Sequence, residues 1–151
     1  MIQMTCVLGV LLALGAAPQA DVTPVPRAHA HNDYLHDPSL LKALGQGFTS
    51  VEVDIFLVGD KLCVAHESRE ITPDRTLQSL YLEPLRERVK KNGGRVYREG
   101  PRFTLLIDLK TAAEPTYRRL HEVLADYRDM LTTFGPDGRK ETAILVILSG
   151  N

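Results

Sequence analysis

Three short apolar runs, at residues 49–57, 103–110 and 143–148, alternate with segments of helical periodicity, and this alternation points to parallel α/β packing. In residues 49–57, Val51, Val53, Ile55 and Leu57 point one way, while Glu52, Asp54 and Phe56 point the other. Residues 103–110 repeat the pattern: Phe103, Leu105, Ile107 and Leu109 share a face, and Asp108 and Lys110 share the opposite one. A charged helix is expected over 76–92, with Leu77, Leu80, Leu85 and Val89 on its apolar side and Asn92-Gly93-Gly94 as its stop. A second helix is expected over 115–134, carried by Leu120, Val123, Leu124, Tyr127, Leu131 and Phe134, with Gly135-Pro136-Asp137-Gly138 as a loop.

Shorter signals fill the gaps. Asp37-Pro38 reads as a helix start, with Asp37 as N-cap and Pro38 at the first helical position; Leu40, Leu41 and Leu44 form the apolar face, and Gly45 and Gly47 end it. Gly59-Asp60 reads as a turn, after which residues 62–65 return as a strand ending at His66. Strand ends that carry His, Glu, Asp and Lys fit a barrel whose chemistry lies at its C-terminal rim. A closed eight-stranded barrel needs about 250 residues, more than the 151 here. The expected fold is therefore α/β, the N-terminal part of a TIM (β/α)8 barrel, incomplete in this chain.

Residues 1–20 stand apart. The apolar stretch from Cys6 to Ala17 is too short to cross a bilayer comfortably, and small residues and Ala20 follow it. This reads as a secretory signal peptide, although Met1-Ile2-Gln3-Met4-Thr5 carries no Lys or Arg. A buried or anchoring N-terminal helix is the alternative. The expected organisation is a signal peptide at 1–20, an extended linker at 21–27 and a partial barrel domain at 28–151, in a protein that is secreted or periplasmic and has no stable membrane span once the signal is removed. Cys6 leaves with the signal, so Cys63 has no disulfide partner; set in an apolar strand pattern, it reads as a small core residue. A net charge of −1 with no polybasic tract excludes an electrostatically driven nucleic-acid binder.

Five groups concentrate the chemistry: His31, the pair Glu52 and Asp54, His66, Asp108 and Lys110. Glu52 and Asp54 lie two apart on one strand and so face the same way; two carboxylates beside an apolar strand are costly to bury without a counter-charge. An isolated pair of this kind is usually a solvated strand face. With Asp108 closing a second apolar strand, the set suits one hard divalent cation instead. Lys110 could hold a phosphate oxygen or could be an ordinary exposed strand-end lysine. His31 and His66 each end an apolar run and can serve as general acid and base. His36 and His121 fit loop and helix-surface positions.

At these residues the chain resembles the phosphatidylinositol-phospholipase-C-like phosphodiesterase superfamily of TIM barrels. That group includes glycerophosphodiester phosphodiesterases and spider-venom sphingomyelinases D. The closest likeness is to a branch with a His-Asn-Asp-Tyr segment, called "altered inheritance of mitochondria" proteins in fungi; here the segment is His31-Asn32-Asp33-Tyr34. Gln46-Gly47-Phe48-Thr49-Ser50-Val51-Glu52-Val53-Asp54 and Val64-Ala65-His66-Glu67 are similar to its pattern, and Leu106-Ile107-Asp108-Leu109-Lys110-Thr111 is similar to the metal-ligand strand of the sphingomyelinase D group. The specific motifs cover residues 28–111. The resemblance implies His31 and His66 as the acid–base pair, Glu52, Asp54 and Asp108 as ligands of Mg²⁺ (or Ca²⁺), and Lys110 at the phosphate of a small-molecule or lipid diester. Glycerophosphodiesterases carry His-Arg at the first motif and a Glu-Asn-Thr segment soon after. This chain has His31-Asn32 and lacks the latter, so the likeness does not extend to their substrates.

Two other readings stay open. His29 and His31 share a strand face and could bind zinc, as in amidohydrolase-type barrels. A truncated barrel with open sheet edges could also be non-catalytic.

Overall fold

The computed structural model describes residues 22–151; the expected signal peptide at 1–20 lies outside them. Its main sheet contains β1 (Val25–Ala30), β2 (Phe48–Val58), β3 (Lys61–Val64), β4 (Phe103–Leu109) and β7 (Ile144–Gly150), in the order β1-β2-β4-β7 with β3 also on β2. The pairs β1–β2, β2–β4 and β4–β7 are parallel. β3 is an antiparallel neighbour, joined to β2 by the Gly59-Asp60 turn. The long β2 receives β1 along Phe48–Val51 and β3 along Ile55–Val58, so one edge of it serves two strands. The result is a curled parallel sheet, a half-barrel, with α1 (Leu41–Gly45), α2 (Glu83–Lys91) and α3 (Ala113–Ala125) after its strands.

The alternation read from the sequence sets the core. Val51, Val53, Ile55, Phe103, Leu105, Ile107 and Leu109 are all buried, in one cluster with Leu85 and Val89 of α2 and Leu120 and Val123 of α3. Each such side chain contributes roughly 1.5–3 kcal/mol by leaving water. The opposite face of the sheet presents Ser50, Glu52 and Asp54 from β2, Thr104, Leu106 and Asp108 from β4, and Leu145, Ile147 and Ser149 from β7, in matching register. Ile147 is exposed, as is Leu148 of the same strand. Cys63 is buried with a free thiol, as its strand pattern indicated.

Several elements depart from the sequence reading. The first strand begins at Val25, inside the stretch expected as linker at 21–27, because Val25 pairs with Phe48 and donates its N–H to Gly47 O at 2.8 Å. The helix expected from Pro38 starts at Leu41, and Asp37 does not cap it. Leu40 precedes it with φ +59°, a left-handed backbone that a helix cannot run through. That geometry is pinned by Asp33, whose Oδ2 accepts the Leu40 N–H at 2.6 Å. Leu41, assigned to the apolar face, is exposed, whereas Leu40 and Leu44 are buried.

The helix expected over 76–92 opens with one π turn, Gln78–Leu82, before α2. The wider turn brings Tyr81 and Leu82 to the core beside Leu77, and Leu80 is left only partly buried. The helix expected to reach 134 stops at Ala125. Past it, Leu131 bridges to Ile144, Ile144 N–H donates to Met130 O at 3.1 Å, and Thr132 N–H donates to Ile144 O at 2.8 Å. These tertiary backbone bonds replace helical ones. Tyr127, in a turn, and Leu131, in the bridge to Ile144, are both buried, while Phe134 sits exposed in a small hairpin, β5 (Thr133–Gly135) with β6 (Gly138–Lys140). No helix among the described residues is long and apolar enough to cross a membrane.

Candidate active site

Parallel pairing lines up candidate residues from four strands: His31 just past β1, Glu52 and Asp54 within β2, and Asp108 and Ser149 near the carboxyl ends of β4 and β7. His29 is the register partner of Ser50, so His31, just past β1, comes level with Glu52. Its Nε2 lies 3.0 Å from Glu52 Oε2. One step further along, Asp54 and Asp108 are register partners, and so are Asp108 and Ser149. Three consecutive strands therefore contribute one polar row, Asp54–Asp108–Ser149.

Lys110 ties this row together. Its Nζ stands 2.6 Å from Asp108 Oδ2 and 3.2 Å from Asp54 Oδ2. Ser149 Oγ donates to the other oxygen of Asp108 at 2.6 Å. Partial burial pushes the Asp108 carboxyl up, but the bonds from Lys110 and Ser149 and the ammonium charge outweigh it and hold the group below its ordinary value. The hydrogen bond to Asp108, aided by Asp54, raises Lys110 against the opposing effect of burial. Lys110 is thus a fixed cation between two carboxylates, rather than the ordinary exposed strand-end lysine that was its alternative.

Asp54 is 1% exposed and is the hub of the site. Its Oδ2 accepts the Tyr34 hydroxyl at 2.7 Å and lies 3.5 Å from His66 Nδ1. The Tyr34 hydroxyl also lies 3.2 Å from His66 Nδ1 and 3.0 Å from Asn32 Oδ1. Burial foremost, then the hydrogen bond and charge of Asp54, raise the Tyr34 phenol far above its ordinary value, so it stays protonated. Asn32, at φ +49°, takes the left-handed turn that Asn tolerates and donates its N–H to Glu52 Oε2 at 3.4 Å. The segment after β1 therefore places Asn32 and Tyr34 against Glu52, Asp54 and His66.

The structure brings Asp54, Asp108, Lys110 and His66 into one connected network and joins it to His31 and Glu52 through Asn32 and Tyr34. Sequence reasoning gave no role to Tyr34 or Ser149. The parallel register could have flagged Ser149, since the residue level with Asp108 on the next strand faces the same way. Tyr34 carried no such signal, because it reaches the site through a turn. His29 is not in this network: its Nδ1 pairs with Ser50 Oγ at 2.8 Å, one row below.

Whether the residues suit a divalent cation can be judged on chemistry and on position. Among the described residues no three His, Cys, Asp or Glu groups close around a common point as the side chains stand. The donors are nevertheless of the right kind, three hard carboxylates on one sheet face. Asp54 and Asp108 already share one cation, the Lys110 ammonium, and Asp54 Oδ1 is buried with no hydrogen-bond partner among the described residues. A buried carboxylate oxygen left without a partner is costly, and a bound ion would satisfy it. In kind, though not in their present spacing, the donors suit a hard cation.

The chain belongs to the AIM6-like phosphodiesterase domain family, whose profile matches residues 17–151. It is 35% identical over 127 residues to the altered inheritance of mitochondria protein 6 homolog of Arthroderma benhamiae, covering 72% of this chain and 40% of that protein. It is 42% identical over 77 residues to altered inheritance of mitochondria protein 6 of Kluyveromyces lactis, covering 49% of this chain and 18% of that one. The protein of the same name from Lachancea thermotolerans is 35% identical over 151 aligned residues, covering 87% of this chain and 35% of the relative. The chain thus spans at most 40% of the length of these relatives. No solved structure matches it.

Proposed function

We propose that this domain contributes the acidic and basic half of a metal-dependent phosphodiesterase site, in the first half of a (β/α)8 barrel of the phospholipase-C-like type. One observation carries this reading: Asp54, buried within β2 level with Asp108 of β4, contacts both an imidazole and an ammonium. A buried aspartate serving only as a structural tie has no need of two titratable neighbours.

The chemistry follows from the side chains. The Lys110 ammonium can donate to a non-bridging phosphate oxygen while it holds the Asp108 carboxyl below its ordinary value. His66, with its side chain 47% exposed, and His31, 71% exposed, can reach a substrate at the site. One imidazole takes the proton from the attacking hydroxyl, of water or of the substrate itself, and the other gives a proton to the leaving alcohol. Glu52, Asp54 and Asp108 would hold Mg²⁺ (or Ca²⁺), which when bound supplies charge neutralisation at the phosphate. The substrate class is a small-molecule or lipid-related phosphodiester, met outside the cytoplasm if the N-terminal 20 residues act as an export signal. The zinc alternative has no support in the placement of His29 on Ser50, one row from this network.

The test is hydrolysis of a chromogenic bis-aryl phosphate, with and without EDTA. Turnover that requires Mg²⁺ or Ca²⁺ and falls about 10²–10⁴-fold in His66→Asn and in His31→Asn supports the reading. Turnover that survives EDTA and both substitutions removes it.

A further inference from the structure

The Tyr34 hydroxyl has three polar neighbours and one hydrogen. They are Asp54 Oδ2 at 2.7 Å, Asn32 Oδ1 at 3.0 Å and His66 Nδ1 at 3.2 Å. The hydrogen goes to the shortest of these contacts, which is also the one to a buried carboxylate, where a donated bond is strongest. The tyrosine oxygen is then an acceptor toward its other neighbours. The Asn32 amide meets it with its NH2 when rotated by half a turn. In the observed ring orientation His66 Nδ1 faces two oxygens, that of Tyr34 at 3.2 Å and Asp54 Oδ2 at 3.5 Å. A bare Nδ1 there would set lone pair against lone pair.

We propose that Tyr34 is a positioning residue for His66: its hydroxyl, committed as donor to Asp54, accepts the hydrogen on His66 Nδ1 and leaves Nε2 as the unprotonated nitrogen. The tautomer of a histidine is fixed by the bond its other nitrogen makes. A buried tyrosine therefore decides which edge of the ring is the base. Tyr34 suits this task because its position is fixed elsewhere. It is 2% exposed, and its carbonyl accepts from Arg75 Nη2 at 2.6 Å. The next residue upstream, Asp33, is clamped by Tyr81 and Leu40. His66 lies two residues past β3 and has no comparable anchor of its own.

The catalytic consequence rests on the acid–base reading of His66 given above, whereas the tautomer does not. The experiment is therefore ring-nitrogen NMR of the full chain labelled with ¹⁵N-histidine, in EDTA at a pH where His66 is neutral. Wild type should show Nδ1–H. Tyr34→Phe, which keeps the ring and its packing, should lower the ratio of Nδ1–H to Nε2–H roughly fivefold to tenfold, the worth of one net hydrogen bond. In the diesterase assay, kcat should fall in proportion to the Nδ1–H population with KM unchanged.

An Nε2–H wild type overturns the proposal. So does an unchanged ratio in Tyr34→Phe, which would assign the lock to Asp54. An altered ratio with unchanged kcat overturns the positioning role. If Tyr34→Phe does not fold, the wild type still decides, since the His66 Nδ1 hydrogen must show a nuclear Overhauser contact to the Tyr34 ring protons, and its absence overturns the proposal. If wild type has no diesterase activity at all, the functional reading fails while the ring-nitrogen result stands.

Discussion

Asp33 and Asp54 are built alike and do different work. Both are buried, at 0% and 1% exposure. Each accepts a tyrosine hydroxyl, from Tyr81 at 2.9 Å and Tyr34 at 2.7 Å, and each has one oxygen without a hydrogen-bond partner among the described residues. The difference lies in the remaining contacts. Asp33 takes the backbone N–H of Leu40 and so holds a strained turn, whereas Asp54 touches an ammonium and an imidazole. Burial and a tyrosine partner therefore do not mark a reactive carboxylate. The titratable neighbours are what set Asp54 apart from Asp33.

The sharpest way to break this comparison is to neutralise each aspartate in turn. Asp54→Asn should lower diesterase turnover about 10³-fold with a small change in urea midpoint, because it removes the charge that faces Lys110 and His66. Comparable activity in that variant would place Asp54 with Asp33 as a structural residue. Asp33→Ala should do the opposite. It strands the Leu40 N–H and the Tyr81 hydroxyl and costs about 3 kcal/mol in equilibrium unfolding, while activity per folded molecule persists.

Lys110 sharpens the contrast through pH. The folded Asp108 carboxyl lies below its ordinary 3.8, so its contribution is present above that value and lost as pH falls through the folded value. Lys110 lies above its ordinary 10.5, so its contribution is present below 10.5 and lost as pH rises through the folded value. Urea midpoints of wild type should therefore drop in both limbs. Lys110→Met should flatten the alkaline limb and shrink the acid one, and an unchanged profile would remove the bridge. The smallest effect is at the edge of the row. Ser149→Ala should cost roughly 1 kcal/mol or less and raise the Asp108 carboxyl, measurable by carboxylate ¹³C titration.

A second contrast concerns backbone space. Gly150, beside Ser149, has φ +95°, and a Cβ there would sit 2.4 Å from Leu109 O and 3.0 Å from Asp108 Oδ1. The close approach that seats Ser149 on Asp108 thus needs a glycine after it. Nothing in the apolar run before Gly150 announced this, because the requirement belongs to the neighbouring strand.

The legible part of the site is the part carried on strands. Alternation placed Glu52 with Asp54, and Asp108 with Lys110, away from the core, because side chains alternate with period two whatever the strand packs against. The same rule gave the buried faces of β2 and β4, and the Gly59-Asp60 turn signal gave the hairpin between β2 and β3. Where helical period was used, the result was weaker. The apolar spacing of Tyr127, Leu131 and Phe134 continues that of α3, but Leu131 instead bridges to Ile144, and a contact thirteen residues away in sequence leaves no local mark. The Asp37-Pro38 signal failed for a related reason: the carboxylate that matters there is Asp33, which holds Leu40 in a conformation closed to helix.

What the sequence determined by itself is the class of the fold and the faces on which carboxylates, lysine and histidines stand, since both follow from local periodicity. What only the tertiary structure decided is which of them touch. Parallel register set Asp54 level with Asp108 and Ser149, Lys110 settled between the two carboxylates, and a turn carried Tyr34 under His66. Those contacts join residues far apart in the chain, and their geometry is fixed by strand pairing and burial, which no single segment encodes.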